Sequence, residues 1–210
     1  MDALTAHFYD RYAAELSDAT ENRRSAMLPF IERAVPRGAR VLDVGSGSGR
    51  DTAAMLDLGL NAWGIEPNDA MRAKAVERFP ALQGRLRDGL LPGLGRPFAD
   101  VCPEGFDAVV CSAVLMHVGA AQLPLALSAL ASQLRPGAGT ALLVSLPEMN
   151  TAMLTADRDG DGRRFHNHAP ADVTQHLAAL GFALEDSSVN DAVRVSAGTR
   201  WHLLTFRRGA

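Results

Sequence analysis

The chain has 210 residues, of which 47% are hydrophobic, so it is long enough to fill one domain core. Its 21 lysine and arginine residues are scattered and the formal net charge is −3, which argues against a nucleic-acid partner. Cys102 and Cys111 are too few for a disulfide framework or a zinc site, and no apolar run reaches the roughly 18 residues of a membrane span. These features predict a cytoplasmic protein without a membrane partner.

Helical and strand-like segments alternate along the chain. Residues 1–16 predict an amphipathic helix rather than a signal peptide. Further helices are predicted over 21–34, 50–59, 68–79, 122–134 and 170–181. Strands are predicted over 39–44, 61–66, 84–88, 106–112 and 139–146, and near 182–187 and 200–207. Such alternation predicts a parallel sheet with helices on both faces, which binds its ligands at the carboxyl ends of the strands.

A glycine-rich turn, DVGSGSG, follows the first predicted strand. Gly45, Gly47 and Gly49 give up side-chain packing, so their pattern indicates a tight turn or a close approach of backbone N–H groups to a ligand. The dinucleotide fingerprint requires a glycine at the place of Arg50, and no Gly-Lys-Ser/Thr follows to make a P-loop. The spacing therefore argues against both of these nucleotide-binding turns.

Polar residues end the neighbouring predicted strands. Glu66 ends the second strand, where a carboxylate can accept hydrogen bonds from both hydroxyls of a ribose. Asp88 ends the third strand and Ser112 the fourth. The alternatives are that Asp43 caps a turn, that Glu66 and Asp88 lie in solvated loops, and that Ser112 hydrogen-bonds a turn.

The acid-x-Gly-x-Gly-x-Gly pattern of residues 43–49 resembles the first motif of the class I S-adenosylmethionine (SAM)-dependent methyltransferases. Residues 106–118 resemble the family's fourth-strand motif, and LRPGAG at 134–139 resembles its Leu-Arg-Pro-Gly-Gly turn, with Ala138 in place of the second glycine. The resemblance implies an α/β fold: a doubly wound, Rossmann-like sheet of seven strands in the order 3-2-1-4-5-7-6, mostly parallel with the last strand antiparallel.

The same resemblance implies a SAM site. It assigns Asp43 to the amino group of the cofactor, Glu66 to the ribose and Asp88 to the adenine amino group. The full set of implied cofactor-binding residues is Asp43, Gly45, Ser46, Gly47, Gly49, Glu66, Pro67, Asp88, Gly89 and Ser112.

One methyltransferase domain is predicted over residues 1–210. Residues 1–38 form an N-terminal helical cap, 39–146 the SAM-binding half and 147–210 the substrate side. Tyr9 and Tyr12 lie on the first helix, which in many relatives covers the cofactor; packing alone is the alternative.

No residue is assigned as the catalytic base. His117, His166 and His168 are candidates, because a histidine titrates near neutral pH. For His117 the alternative is a hydrogen-bonded core residue. For His166 and His168 it is surface solvation.

An aspartate-rich segment over 156–168 resembles part of a calcium loop. Asp157, Asp159 and Asp161 fit the first ligand positions of an EF-hand, but His168 stands where a bidentate glutamate is needed. We therefore expect a solvated loop without calcium, and no metal site.

These observations predict a SAM-dependent methyltransferase that acts on an oxygen or nitrogen atom of a small molecule by in-line displacement and releases S-adenosylhomocysteine. A protein methyltransferase, a SAM-binding protein without catalysis and an NAD-dependent oxidoreductase are the alternatives. The sequence leaves the acceptor and the oligomeric state open. It argues against nucleic-acid methylation, because the fourth strand ends in Ser112-Ala113-Val114-Leu115 without an Asp/Asn-Pro-Pro-aromatic motif.

Overall fold

A seven-stranded sheet with helices packed against it forms the framework of the protein. The computed structural model describes residues 1–17, 25–191 and 199–209. The strands are β1 (Arg40–Val44), β2 (Asn61–Ile65), β3 (Leu86–Arg87), β4 (Ala108–Ser112), β5 (Ala141–Glu148), β6 (Phe182–Asp191) and β7 (Arg200–Arg208). The α-helices are α1 (Ala3–Glu15), α2 (Leu28–Ala34), α3 (Arg50–Asp57), α4 (Asp69–Arg78), α5 (Leu123–Ser132) and α6 (Pro170–Ala179). Short 3₁₀ turns cover Pro80–Leu82, Leu115–His117, Ala120–Gln122 and Thr151–Met153.

The strand order is β3-β2-β1-β4-β5-β7-β6. The first five strands pair in parallel, whereas β7 runs antiparallel to both β5 and β6. The predicted fold class and strand order are therefore confirmed. The chain moves outward from β1 in opposite directions towards β2 and β4, so β1 marks the switch in strand order where ligands of such sheets bind.

Alternate residues of the central strands are buried on opposite faces of the sheet. Leu42 and Val109 belong to the core cluster shared with α5 and α6, while Val41 and Val110 belong to the cluster shared with α2 and α3. This double burial explains the continuous apolar runs of the central strands, because a parallel sheet is covered on both faces.

Two elements differ most from the sequence prediction. The helix expected over 21–34 is α2, which begins at Leu28, and residues 21–24 lie outside the described residues. Pro29 lies at the start of this helix, where the missing N–H of proline costs no helical hydrogen bond. The strand expected over 84–88 is reduced to Leu86 and Arg87, which pair with β2 at the edge of the sheet.

Candidate active site

A cleft of ≈ 380 Å³ opens at the carboxyl ends of β1, β2 and β4. The turn after each of these strands contributes to its wall, together with α1 and the segment after β5. The lining residues are Met1, Asp2, Tyr9, Tyr12, Asp43, Val44, Gly45, Ser46, Gly47, Ser48, Arg50, Asp51, Glu66, Pro67, Met71, Gly89, Leu90, Leu91, Ser112, Ala113, Val114, His117, Val118, Gly119, Gln122, Arg164 and His166. Eight of the ten predicted cofactor-binding residues are in this set.

The turn after β1 depends on glycine at two positions that face the cleft. Gly45 and Gly47 have φ angles of 77° and 54°, in the left-handed region that other residues rarely adopt. A Cβ atom on Gly45 would lie 2.2 Å from Cγ2 of Val114, so the turns after β1 and β4 pack directly against each other. A Cβ atom on Gly47 would meet only the Met71 side chain, at 3.6 Å, so the backbone of Gly47 is exposed to the cleft.

Gly49 has a packing role in the structure. It does not line the cleft, and a Cβ atom there would lie 2.5 Å from Leu82 and 2.9 Å from Ala75. The absence of a side chain at Gly49 lets the start of α3 approach α4 and the following 3₁₀ turn closely. The structure therefore explains the glycine at this position by packing between helices, and the predicted ligand contact of Gly49 stays a prediction.

The carboxylate of Glu66 joins the glycine turn to the start of α4. The residue is only 8% exposed. Oε2 accepts a hydrogen bond from the backbone N–H of Gly47 (3.0 Å), and Oε1 accepts one from the backbone N–H of Asn68 (2.9 Å). Burial raises the pKa of Glu66, while these two hydrogen bonds act in the opposite direction. Glu66 is thus a buried, oriented acceptor group in the cleft wall rather than a solvated loop residue.

Two further carboxylates lie beneath the glycine turn. Asp43 accepts a hydrogen bond from Oγ1 of Thr52 (2.7 Å), and Asp51 accepts one from Oγ of Ser25 and one from Nε of Arg50, both at 2.8 Å. Burial, with the nearby charge of Asp51, raises the pKa of Asp43 to about 7. Asp43 therefore carries a proton part of the time near neutral pH.

Asp88 lies outside the cleft wall, although the sequence places it among the cofactor-binding residues. Its side chain is 74% exposed and lies 3.5 Å from Nη1 of Arg72. The neighbouring Gly89 does line the cleft, and a Cβ atom there would lie 2.6 Å from Cγ2 of Ile65. The two-residue strand β3 ends before Asp88, so the chain presents the backbone of Gly89 to the cleft and the carboxylate to solvent.

The end of β4 is held by a serine that sequence reasoning missed. Oγ of Ser145, on β5, lies 3.1 Å from Oγ of Ser112 and accepts a hydrogen bond from the backbone N–H of Ala113 (2.9 Å). Ala113 has a φ angle of 58°, which is unusual for a residue with a side chain. Ser145 thereby helps to fix the strained turn that brings Ser112 and Val114 to the cleft, a role that no local pattern signals.

His117 has a defined protonation pattern in the cleft wall. Nδ1 lies 2.7 Å from the carbonyl oxygen of Arg164, and Nε2 lies 3.0 Å from the hydroxyl of Tyr9. Because a carbonyl oxygen only accepts, Nδ1 carries the ring proton and Nε2 accepts a hydrogen bond from Tyr9. Burial lowers the pKa of His117 and raises the pKa of Tyr9 to about 12, so both groups are neutral near pH 7.

The other two candidate histidines lie in different environments. His166 lines the cleft, and burial lowers its pKa. His168 does not line the cleft; it is 7% exposed, and its Nε2 lies 2.9 Å from the carbonyl oxygens of both Leu115 and Val118. Nε2 of His168 therefore donates to the turn that carries His117, and surface solvation, the alternative given for His168, is wrong.

The segment over 156–168 packs against α1 instead of extending into solvent. Arg158 pairs with Asp2 at 2.9 Å, Thr5 accepts a hydrogen bond from the backbone N–H of Arg164 (3.0 Å), and the guanidinium of Arg163 lies 4.3 Å from the ring centre of Phe8. At the other end of α1, Asp10 accepts a hydrogen bond from the side chain of Asn68 (2.7 Å), the N-cap of α4. The helix is therefore attached to both sides of the cleft.

The aspartates of this segment are bound within the protein. Both oxygens of the Asp159 carboxylate accept hydrogen bonds at 2.9 Å, from the backbone N–H and from Nε of Arg163. Asp157 lies 3.1 Å from Nε of Arg164. Within residues 1–17, 25–191 and 199–209, no three His, Cys, Asp or Glu residues are grouped so that they could hold a metal ion. None of the helices in these ranges has the length and apolarity to cross a membrane.

The chain is similar in sequence to known methyltransferases. A family profile described as "Methyltransferase domain" matches residues 19–186. The protein-L-isoaspartate O-methyltransferase of Anaeromyxobacter dehalogenans is 33% identical over 129 residues, which cover 60% of this chain and 56% of that protein. The ubiquinone biosynthesis O-methyltransferase of Xanthomonas campestris is 37% identical over 120 residues, which cover 57% of this chain and 48% of that protein. The matches thus span about half of the length of these curated relatives.

Solved structures share the fold at lower sequence identity. The TehB-like SAM-dependent methyltransferase of Corynebacterium glutamicum has a TM-score of 0.67 at 19% identity, covering 99% of this chain and 100% of that one. The 1,6-didemethyltoxoflavin-N1-methyltransferase of Burkholderia thailandensis has a TM-score of 0.67 at 20% identity, covering 98% of this chain and 88% of that one. Because the family profile covers most of the chain and the sheet has the expected strand order, the protein belongs to the methyltransferase-domain family, as a class I SAM-dependent methyltransferase.

Proposed function

We propose that the protein transfers a methyl group from SAM to an oxygen or nitrogen atom of a small-molecule acceptor by in-line displacement. The position of Glu66 is the observation that carries the proposal. Each of its carboxylate oxygens accepts one backbone hydrogen bond and has a further lone-pair site for a ribose hydroxyl. Because the backbone bonds fix the carboxylate, it is oriented before any ligand binds.

The other groups in the wall suit the same ligand. The bare backbone of Gly47 allows a close approach, and Asp43, at the start of the glycine turn, also lines the cleft. We propose that the cofactor contacts are those predicted residues that line the cleft: Asp43, Gly45, Ser46, Gly47, Glu66, Pro67, Gly89 and Ser112. Gly49 and Asp88 are left out because neither lines the cleft.

The protein's share of the chemistry is to position the reactants and exclude water. When bound, SAM supplies a methyl group on a positively charged sulfur, which is already activated for displacement. Tyr9 and Tyr12, on α1, line the cleft with the turns of the sheet, so α1 can hold the acceptor in place and keep out water. In this proposal α1 covers the cleft, the turns within residues 39–146 bind the cofactor, and the segment that carries Arg164 and His166 contributes to the acceptor side.

A small-molecule acceptor is supported by relatives of the chain. The cleft itself has a volume of ≈ 380 Å³, in the range of ordinary small-molecule pockets (roughly 300 to 1,000 Å³), but it has to hold the cofactor as well. The ubiquinone and toxoflavin methyltransferases to which the chain is similar act, by their names, in small-molecule metabolism. The similarity to the protein-L-isoaspartate O-methyltransferase of Anaeromyxobacter dehalogenans supports protein methylation as the second candidate. The proposal retains the expectation of a cytoplasmic enzyme without a nucleic-acid partner.

Calorimetry with SAM, S-adenosylhomocysteine and NAD tests the cofactor. We expect binding of the first two in preference to NAD, because the glycine turn lacks the third glycine of a dinucleotide site. Tight NAD binding without SAM binding contradicts the proposal. Formation of S-adenosylhomocysteine from SAM with pooled small metabolites or with unfolded protein then separates the two acceptor classes. SAM binding with no turnover on either pool supports a binding protein instead.

A further inference from the structure

We propose that Tyr9 and His117 form a proton relay in the cleft, and that the methyl acceptor has an ionisable aromatic or enolic hydroxyl group. This inference rests on the proposed methyl transfer and specifies its acceptor. The relay joins two distant parts of the chain, α1 and the 3₁₀ turn after β4, through one hydrogen bond of 3.0 Å. Both side chains line the cleft.

The direction of the relay follows from the fixed ring proton of His117. Nδ1 donates to the carbonyl oxygen of Arg164 at 2.7 Å, so the free lone pair of the ring is on Nε2. The Tyr9 hydroxyl donates its proton towards that lone pair. Its oxygen also accepts a hydrogen bond from Arg163, which leaves one lone pair for a further donor. An acceptor hydroxyl next to Tyr9 would complete a chain of donors that all point towards His117.

The proton balance is complete within these groups. As the acceptor oxygen forms its bond to the methyl group, its proton moves to the oxygen of Tyr9, and the proton of Tyr9 moves to Nε2 of His117. The bonding electron pair of the broken carbon–sulfur bond stays on sulfur. Tyr9 ends as a neutral phenol and His117 as an imidazolium, which releases its proton to solvent after the reaction.

The surroundings of His117 lower its basicity, and this determines how acidic the hydroxyl group of the acceptor must be. Burial and the positive charge of Arg163 lower the pKa of His117, while Asp159 and Asp2 raise it and do not fully compensate. An imidazole of lowered pKa is a weak base, so it suits a phenol or enol rather than an aliphatic alcohol.

The other candidate histidines do not provide the same arrangement. Nε2 of His168 donates to two carbonyl oxygens outside the cleft wall. His166 lines the cleft, and its backbone N–H donates a hydrogen bond to the carbonyl oxygen of Met116 at 2.7 Å. Only His117, among these three, combines a fixed ring proton with a neighbouring hydroxyl in the wall.

Nuclear magnetic resonance of protein labelled with ¹⁵N at its six histidines tests the arrangement without any reaction. The resonance that disappears in His117→Gln identifies His117, and we expect it to show a protonated Nδ1 and a pKa below the usual value. Tyr9→Phe should raise this pKa, because Tyr9 stabilises the neutral ring. Tyr12→Phe, on the same helix, is the matched control and should leave it unchanged. A proton on Nε2, or no response to Tyr9→Phe, overturns the relay.

Binding of 4-nitrocatechol in the presence of S-adenosylhomocysteine tests the proton transfer itself. At a pH below the pKa of the free probe, where the probe in solution keeps its proton, we expect the cleft to ionise it, visible in its absorbance, while the His117 resonance moves to that of the imidazolium. Both changes should be lost in Tyr9→Phe and in His117→Gln. With SAM, methylation of the probe should fall by roughly 10²- to 10⁴-fold in each variant, the usual effect of losing a general base.

Binding of S-adenosylhomocysteine, measured on the same samples, separates the two proposals. Unchanged affinity in Tyr9→Phe and His117→Gln, with loss of probe ionisation, supports the relay. A wild-type protein that binds S-adenosylhomocysteine but neither ionises the probe nor protonates His117 overturns the relay and leaves the proposed function standing. Equal losses of affinity and activity in both variants also overturn it, because they indicate a structural role. No binding of S-adenosylhomocysteine by the wild type contradicts the proposed function instead.

Discussion

Replacing Glu66 with glutamine tests the centre of the proposed cofactor site. The change keeps the size of the side chain and one acceptor oxygen, but replaces the other oxygen with an NH₂ group. In the structure the two carboxylate oxygens accept from the backbone N–H groups of Gly47 and Asn68, at 3.0 and 2.9 Å. The glutamine NH₂ must therefore face one of these donors, and that N–H loses its partner.

The structure predicts that both stability and affinity fall. A buried donor left without a partner costs about 1 to 3 kcal/mol, so the free energy of unfolding should fall by that amount, partly offset because a buried charge is also removed. Hydrogen bonds to a charged group contribute roughly 1.5 to 3 kcal/mol each, so affinity for SAM should fall about tenfold to a hundredfold. A glutamate in a solvent-filled cleft would change affinity alone. The burial of Glu66 is the reason that the two effects are expected together.

A thermodynamic cycle isolates the contact with the ribose. S-adenosylhomocysteine and its 2′-deoxy analogue are titrated by calorimetry into the wild type and Glu66→Gln. If Glu66 accepts a hydrogen bond from the 2′-hydroxyl, removal of that hydroxyl weakens binding to the wild type much more than binding to the variant, with a coupling energy of about 1 kcal/mol or more. Glu77→Gln, which removes only an exposed ion pair with Lys74, is the control and should show no coupling. Equal losses of affinity in both proteins would remove Glu66 from the ribose site and refute the reasoning.

Three further predictions concern the glycine turn, Asp43 and calcium. Gly45→Ala should destabilise the protein more than Gly47→Ala in urea unfolding. Both positions have positive φ angles, but only a Cβ atom at position 45 clashes with Val114. An additional Val114→Ala should recover part of the difference, and equal costs for the two glycine substitutions would contradict the prediction. The free energy of unfolding should fall as the pH rises from about 4 to about 7. Folding raises the pKa of Asp43 from 3.8 to about 7, so in this range the folded chain holds a proton that the unfolded chain releases. Asp43→Asn should flatten the slope, and the same slope in both proteins would argue against the raised pKa. Calcium or a chelator should leave the melting temperature unchanged, because both oxygens of Asp159 are bound to Arg163; a chelator-reversible rise at micromolar calcium would contradict this.

The periodicity of the sequence predicts most of the sheet because its central strands are buried on both faces. Burial on both faces gives these strands continuous apolar runs, which are easy to recognise in the sequence. Val41, Leu42, Val109 and Val110 are examples. Resemblance to a family then supplies the strand order, which periodicity alone does not contain. The start of α2 is not predicted correctly, because the helix begins only at Leu28, next to Pro29.

The site is less predictable where it depends on contacts between distant segments. Asp88 has the same sequence context as Glu66, at the end of a strand, but its strand is two residues long and its carboxylate lies in solvent next to Arg72. Gly49 packs against Leu82, which the sequence places more than thirty residues away. The hydrogen bond between Tyr9 and His117 spans 108 residues, and no local spacing encodes it. Such contacts become visible only when the chain has folded.

The position of β7 has a consequence for the order in which the protein assembles during synthesis. β7 is the last strand of the described chain, yet it lies between β5 and β6 and is the only described partner of β6. A growing chain that has reached β6 therefore has an unpaired β5 edge and no partner strand for β6, and exposed edges of this kind can pair with other chains. The parallel strands and the cleft are encoded before this point, so they can form first. The closing of the sheet has to wait until Arg200–Arg208 have been synthesised.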